Sequence, residues 1–336
     1  EQFKWNPPLE KAGQMLRQAV YMGDLVTLHH LVKGRADLEA KDESGATPLH
    51  IAATQCNKDI LHWLLKHQAD VGATDGDGFT ALTWACVKGH VDGIDILVEA
   101  RADVGLLTKS SGKTPLALSA ERGHLECVEE LLRFKAGIDY KNKDGCTALM
   151  CAAHRGETET VLHLLSRNSS VNERDNEGWS PLMYALNAAV PPRSLGGESV
   201  EKRVQVEGVL GKRTAVEILM LHKADVNAQT PVDALSPLLV AAGRDRPSTI
   251  RFMLESAADT NHVSTKGQTA LLIAASMDLP DIARCLIVAQ ADVNMARNGE
   301  SPLSVAEKGG FKDVVEILKK AGAMPAKPKK KGKKKK

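Results

Sequence analysis

An all-α repeat solenoid is the fold class this sequence predicts, on three observations. A capping phrase recurs at Thr47-Pro48, Thr80-Ala81, Thr114-Pro115, Thr147-Ala148, Ser180-Pro181, Ser236-Pro237, Thr269-Ala270 and Ser301-Pro302, in steps of 33, 34, 33, 33, 56, 33 and 32 residues. A second phrase runs in phase with it, at Ala36-Asp37, Ala69-Asp70, Ala102-Asp103, Ala224-Asp225, Ala258-Asp259 and Ala291-Asp292. Aromatic residues make up 4% of the 336 while hydrophobic residues make up 43%, so the core must be thin and aliphatic.

Taken in order, residues 1–11 are an N-terminal extension. Residues 12–45 form an N-terminal cap, with helical apolar spacing but no Thr-Pro phrase. Repeats then start near 46, 79, 113, 146, 179, 235, 268 and 300. In each, Thr or Ser supplies the side-chain oxygen of an N-cap, and Pro at the first helical position loses no hydrogen bond. Small residues follow at Ala52-Ala53, Ala85-Cys86, Ala152-Ala153 and Ala274-Ala275, where neighbouring first helices must approach closely. A second helix carries an aliphatic stripe at helical spacing, such as Ile60, Leu61, Leu64 and Leu65. A polar connector then brings a glycine two residues before the next cap, at Gly45, Gly78, Gly112, Gly145, Gly178, Gly267 and Gly299. Ala234 breaks that rule beside Pro231, which predicts a distorted connector. A lone repeat leaves its apolar faces wet, so the units must stack, and residues 301–323 read as the C-terminal cap.

Two segments depart from the template. The step of 56 hides an insertion at about 190–213, rich in Pro and Gly, which is either a tolerated loop or a partner-binding projection. From Met324 the chain holds eight lysines and no acid, leaving the rest with 36 Lys and Arg against 42 Asp and Glu. This 324–336 tail cannot fold alone and is read as disordered. Lys329, Lys330, Lys331, Lys333 and Lys334 make it a solubility tail, an import signal or an arm for a polyanion.

The two phrases resemble the ankyrin repeat, with its period of 33 and its T-P-L-H-x-A signature, over roughly residues 12–323. The resemblance implies stacked helix-turn-helix units with short β-hairpin fingers in a curved, elongated array. It also implies that ligands lie on the concave side, made by fingers and first helices. The residue before each cap is then a finger position, and Phe79 and Trp179 there are expected as exposed aromatics that pack on a neighbouring finger or anchor a partner. The variable position late in the first helix holds Lys88, Arg122, Arg155 and Arg244, which with Lys113 and Lys143 make either a solvated face or a groove for an acidic segment.

The function expected is a non-catalytic scaffold or adaptor that binds a protein through this surface. The alternative is a structural subunit of a nucleoprotein, membrane or cytoskeletal assembly held by the lysine tail. No phosphate-binding Gly-rich loop, kinase signature or Ser/His/Asp set is found, so no enzyme and no cofactor are expected. The six cysteines form no CxxC pair and are expected as reduced core thiols, with no metal site. His50 is expected to make a structural hydrogen bond within its own repeat, and Trp63 and Trp84 to lie in the core. No apolar run nears the roughly 18 residues a membrane helix needs. A monomer in cytoplasm or nucleus is expected, or an organelle interior if a targeting segment preceded Glu1.

Overall fold

The computed structural model describes residues 9–188, 214–244, 246–296 and 300–324. The expected insertion, Gly299, the start of the extension and the lysine tail lie outside the described residues. Eighteen α-helices and no β-strand occur among those described, and the chain divides into two units, Glu1–Ser170 and Val171–Lys336.

The first unit holds α1 (Leu9–Met22), α2 (Leu25–Lys33), α3 (Pro48–Gln55), α4 (Lys58–Lys66), α5 (Ala81–Lys88), α6 (Val91–Glu99), α7 (Pro115–Arg122), α8 (Leu125–Arg133), α9 (Ala148–Arg155) and α10 (Thr158–Ser166). First helices start where the hydroxyl caps them: Thr80 Oγ1 accepts from Thr83 N at 3.2 Å and Thr114 Oγ1 from Ala117 N at 3.1 Å. Each such cap stabilises its helix by about 1 kcal/mol. The alanine pairs of α3, α5 and α9 and Cys86 have no solvent exposure, and α3, α5, α7 and α9 pack side by side through them. Leu49, Leu82, Leu116 and Leu149 run as a buried column through the same helices. The second helices α4, α6, α8 and α10 pack in their own row, each burying its aliphatic stripe.

The second unit holds α11 (Pro181–Asn187), α12 (Ala215–Leu221), α13 (Pro237–Ala242), α14 (Pro247–Glu255), α15 (Ala270–Ser276), α16 (Pro280–Val288), α17 (Pro302–Gly309) and α18 (Lys312–Lys320). Its first helices carry the equivalent column Leu182, Leu238, Leu271 and Leu303. α12 begins with a capping box, in which Thr214 N donates to Glu217 Oε2 at 2.8 Å and Glu217 N to Thr214 Oγ1 at 3.3 Å.

The fingers differ from the expected β-hairpins. In the second, Asp75 N donates to Phe79 O at 2.9 Å, and neighbouring fingers share single bonds such as Lys109 N to Asp77 O at 3.0 Å. These isolated bonds make closed turns, not the repeated ladder of a strand pair. An acid or amide side chain holds several of them: Asp42, Asp75, Asn142 and Asp175 each accept from the amide four residues on, at 2.7 to 2.9 Å. Gly78, at φ +81°, turns its finger beneath the Lys109 chain, where a Cβ would stand 2.5 Å from Lys109 Cγ. The sixth finger is not the distorted exception expected from Ala234. It is one residue longer, like the third, and closes the same way through Thr230 N to Leu235 O and Thr108 N to Lys113 O. Ala234 does the work of the glycine at φ +50°, which costs on the order of 1 kcal/mol.

Candidate functional site

Finger and first helix meet at three template positions, one residue before the cap and four and eight residues after it. Side chains four apart share a helix face, so the last two look the same way. In the second repeat they hold Phe79, Trp84 and Lys88. Phe79 and Trp84 are both half-buried and lie against each other, with ring centroids 5.2 Å apart. Asp75 joins turn to helix: Oδ1 accepts from Asp77 N at 3.1 Å and Phe79 N at 2.8 Å, while Oδ2 accepts from Trp84 Nε1 at 2.9 Å. Trp84 therefore lies beside the finger and only half-buried, although Leu118 and Cys151 at the same template position are buried. Trp63 is likewise half-buried, stacked on His67 at 4.1 Å.

The second unit repeats the device. Trp179 and Tyr184 lie 5.7 Å apart; Asp175 Oδ1 accepts from Trp179 N at 2.7 Å and Oδ2 from Tyr184 Oη at 2.6 Å. Both finger aromatics are thus braced within their own repeat. The signal was present in the matching stretches DGDGFTALTW and DNEGWSPLMY, residues 75–84 and 175–184. Sequence reasoning took Phe79 and Trp179 from them and counted Asp75 only as an acid balancing the basic face; it missed the bracing role of Asp75, and Asp175 and Tyr184 altogether.

Of the expected cations, Lys88, Arg122 and Arg155 are exposed in the last turns of α5, α7 and α9, where the helix dipole itself favours positive charge. They are not equivalent. Glu121, one of the acids that a balanced, solvated face requires, receives Lys113 Nζ at 2.6 Å and Arg155 Nη2 at 3.0 Å. Burial pushes the Glu121 carboxyl up, but the bonds and charges of Lys113 and Arg155 outweigh it and hold the group below its ordinary value. Lys143 donates to Lys109 O, and Arg244 of the second unit to Asn187 Oδ1. Lys88 and Arg122 make no ion pair among the described residues. The tail lysines lie outside those residues.

His50 reaches further than its own repeat. Thr47 N donates to its Nδ1 at 3.1 Å, so Nε2 carries the proton and donates to Phe79 O of the next finger at 2.9 Å. Burial holds its pKa below the ordinary 6.5, against the pull of that carbonyl. All six cysteines are free thiols, but only Cys86, Cys127 and Cys151 lie in the expected core, while Cys56, Cys146 and Cys285 are half-buried; burial pushes Cys127 and Cys151 up to about 12 and raises Cys86 as well, which suits packing rather than nucleophilic chemistry for these three. Among the described residues no group of His, Cys, Asp or Glu is arranged to hold a metal, and no helix is long and apolar enough to cross a membrane.

A family model described as ankyrin repeats in three copies matches residues 16–108, 116–190, 208–296 and 238–331. A comparison with curated proteins returned no match. The matched segments cover most of the chain and coincide with the capped, stacked helix pairs, so the chain belongs to the ankyrin repeat family.

Proposed function

We propose that the chain is a non-catalytic scaffold that holds a protein partner's acidic segment on the finger and first-helix face of the first unit. Ankyrin repeats generally mediate protein–protein interaction and are generally non-catalytic. The observation that carries the reading is the pairing of half-exposed Phe79 and Trp84 with two unpaired cations, Lys88 and Arg122. Aromatic and arginine side chains are the residue types that dominate protein interfaces. Lys113, Lys143 and Arg155 border the same face but are already engaged, so they join a partner by exchanging their present acceptors for its carboxylates. Trp179 and Arg244 offer a second patch on the other unit. The scaffold acts as a monomer, in cytoplasm or nucleus.

Affinity capture with the full chain, read by mass spectrometry, tests this. Phe79→Ala and Arg122→Glu should each deplete the same partner at least tenfold, with circular dichroism unchanged. Retention of every captured protein by both variants would overturn the reading. The lysine run after Met324 supports a second one, attachment of a structural subunit to an acidic surface. Binding of that kind weakens steeply with salt, whereas binding through the aromatic face does not.

A further inference from the structure

We infer that Asp75, Phe79 and Trp84 form a braced platform for one large apolar side chain of that acidic segment, with Asp75 as the positioning residue. The inference rests on the function proposed above and names the chemistry its partner must carry.

The fold does not need a tryptophan at position 84. The equivalent position holds Ile51, Leu118 and Cys151 in the neighbouring repeats, and those first helices pack in the same row without it. What Trp84 adds is apolar ring surface beside Phe79 that the protein leaves partly in water. An indole on a surface would sample rotamers. Asp75, itself 6% exposed, removes that freedom by accepting from Nε1 with the oxygen its turn does not use. A ring fixed before binding spares the ordering cost that a mobile one incurs on association.

Charge decides what the rings receive. Asp75 already accepts from Asp77 N, Phe79 N and Trp84 Nε1, so it offers little to an incoming cation. Lys88 follows Trp84 by one turn of α5, and Arg122 holds the same position on α7, packed against α5. The exposed acid of this finger, Asp77, has the Lys109 chain lying across the adjoining Gly78. A basic segment would be repelled by Lys88 and Arg122, whereas carboxylates flanking an apolar side chain meet them. The Asp175–Trp179–Tyr184 copy has a weaker set: Ala188, a buried residue, stands where Lys88 does, and Arg244, at the place of Arg122 on the adjoining α13, already donates to Asn187 Oδ1, so the acidic preference is stronger in the first unit.

A random 12-residue phage library panned on the full chain tests the platform. Enriched clones should combine one Phe, Trp, Leu or Met with at least two acidic residues. Replacing that apolar residue by Ala should cost a clone at least tenfold in affinity, and this ratio should collapse in Trp84→Ala and Phe79→Ala. Asp75→Asn should reduce the ratio about three- to tenfold while amide exchange at Asp77 and Phe79 stays unchanged. Asn142 holds its own finger through the same oxygen, at 2.9 Å from Asp144 N and 2.8 Å from Cys146 N, but an Asn amide cannot accept from the indole through its nitrogen. Trp84→Phe, which keeps a ring and loses the bond, should fall between. If clones lose binding to Lys88→Glu with Arg122→Glu yet keep the full ratio in Trp84→Ala and Asp75→Asn, the platform is wrong and the proposed function stands. Clones indifferent to all these changes would overturn both.

Discussion

Around α5 in the first unit, repeats are tied by imidazole rings, whereas along the second unit they are tied by an unbroken line of asparagines. His50 Nε2 donates to Phe79 O, His90 Nε2 to Thr54 O at 3.0 Å and His124 Nε2 to Val87 O at 3.1 Å, each reaching an adjacent repeat. In the second unit Asn172, Asn227, Asn261 and Asn294 accept from Asp225 N, Asp259 N, Asp292 N and Met324 N at 2.7 to 2.8 Å. The first unit carries Glu39 and Asp139 at that template position but interrupts the line with Gly72 and Gly105. Among the described residues His262 departs from this division, donating to Ala234 O at 2.6 Å. One template thus tolerates different staples. A neutral amide does not titrate near neutrality, whereas burial lowers the pKa of the His50 staple, so the two units should respond differently to acid.

The largest expected effect comes from breaking what both units share. Leu82→Ala empties a fully buried position and should destabilise the first unit by about 2 to 5 kcal/mol. Hydrogen exchange should show the loss concentrated around α3 to α8, because each repeat touches only its neighbours. Equal loss at α15 to α18 would contradict this. Next in size, Asn261→Ala removes a staple of the second unit and should cost about 1 kcal/mol, read as faster exchange at the Asp292 amide with the first unit unaffected.

A change in the opposite direction sharpens the comparison. Gly72→Asn would supply the missing staple, and the site accepts a Cβ at an ordinary 3.4 Å from Asp70 Oδ1. A gain of about 0.5 to 1 kcal/mol is expected from the new bond and the stiffer unfolded chain. An unchanged or lower denaturation midpoint would show that glycine is required there for another reason.

The smallest effect expected is that of mild acid. The folded pKa of His50 lies below its ordinary 6.5, so its contribution to stability is complete above that pH and is lost as pH falls through the lowered folded value. Glu121, held below 4.5, adds a loss of the same sign at lower pH. Between pH 7 and 5 the first unit should soften before the second, and His50→Gln, which cannot titrate, should flatten that slope. A slope unchanged by the substitution would remove His50 from the account.

The period, the capping hydroxyls and the buried alanine pairs were legible because each acts within one helix or between helices at a constant spacing. The position of Phe79 was legible for the same reason. Trp84 was expected in the core because apolar residues such as Ile51 and Leu118 share its template position, and only the folded turn brings Asp75 to its indole and holds it at the finger. The β-hairpins implied by the family did not appear as strands, since single bonds between neighbouring fingers satisfy the turns.

The sequence by itself therefore determined the family, the start of every capped first helix and the list of residues that can face a partner. Tertiary structure alone decided which of them remain available. Arg155 lies 34 residues from Glu121 along the chain yet 3.0 Å away in space, and Lys113 reaches the same carboxylate from the preceding finger. Charge neutralisation of this kind depends on how adjacent repeats stack, which separates Lys88 and Arg122 from cations that look identical in the linear text.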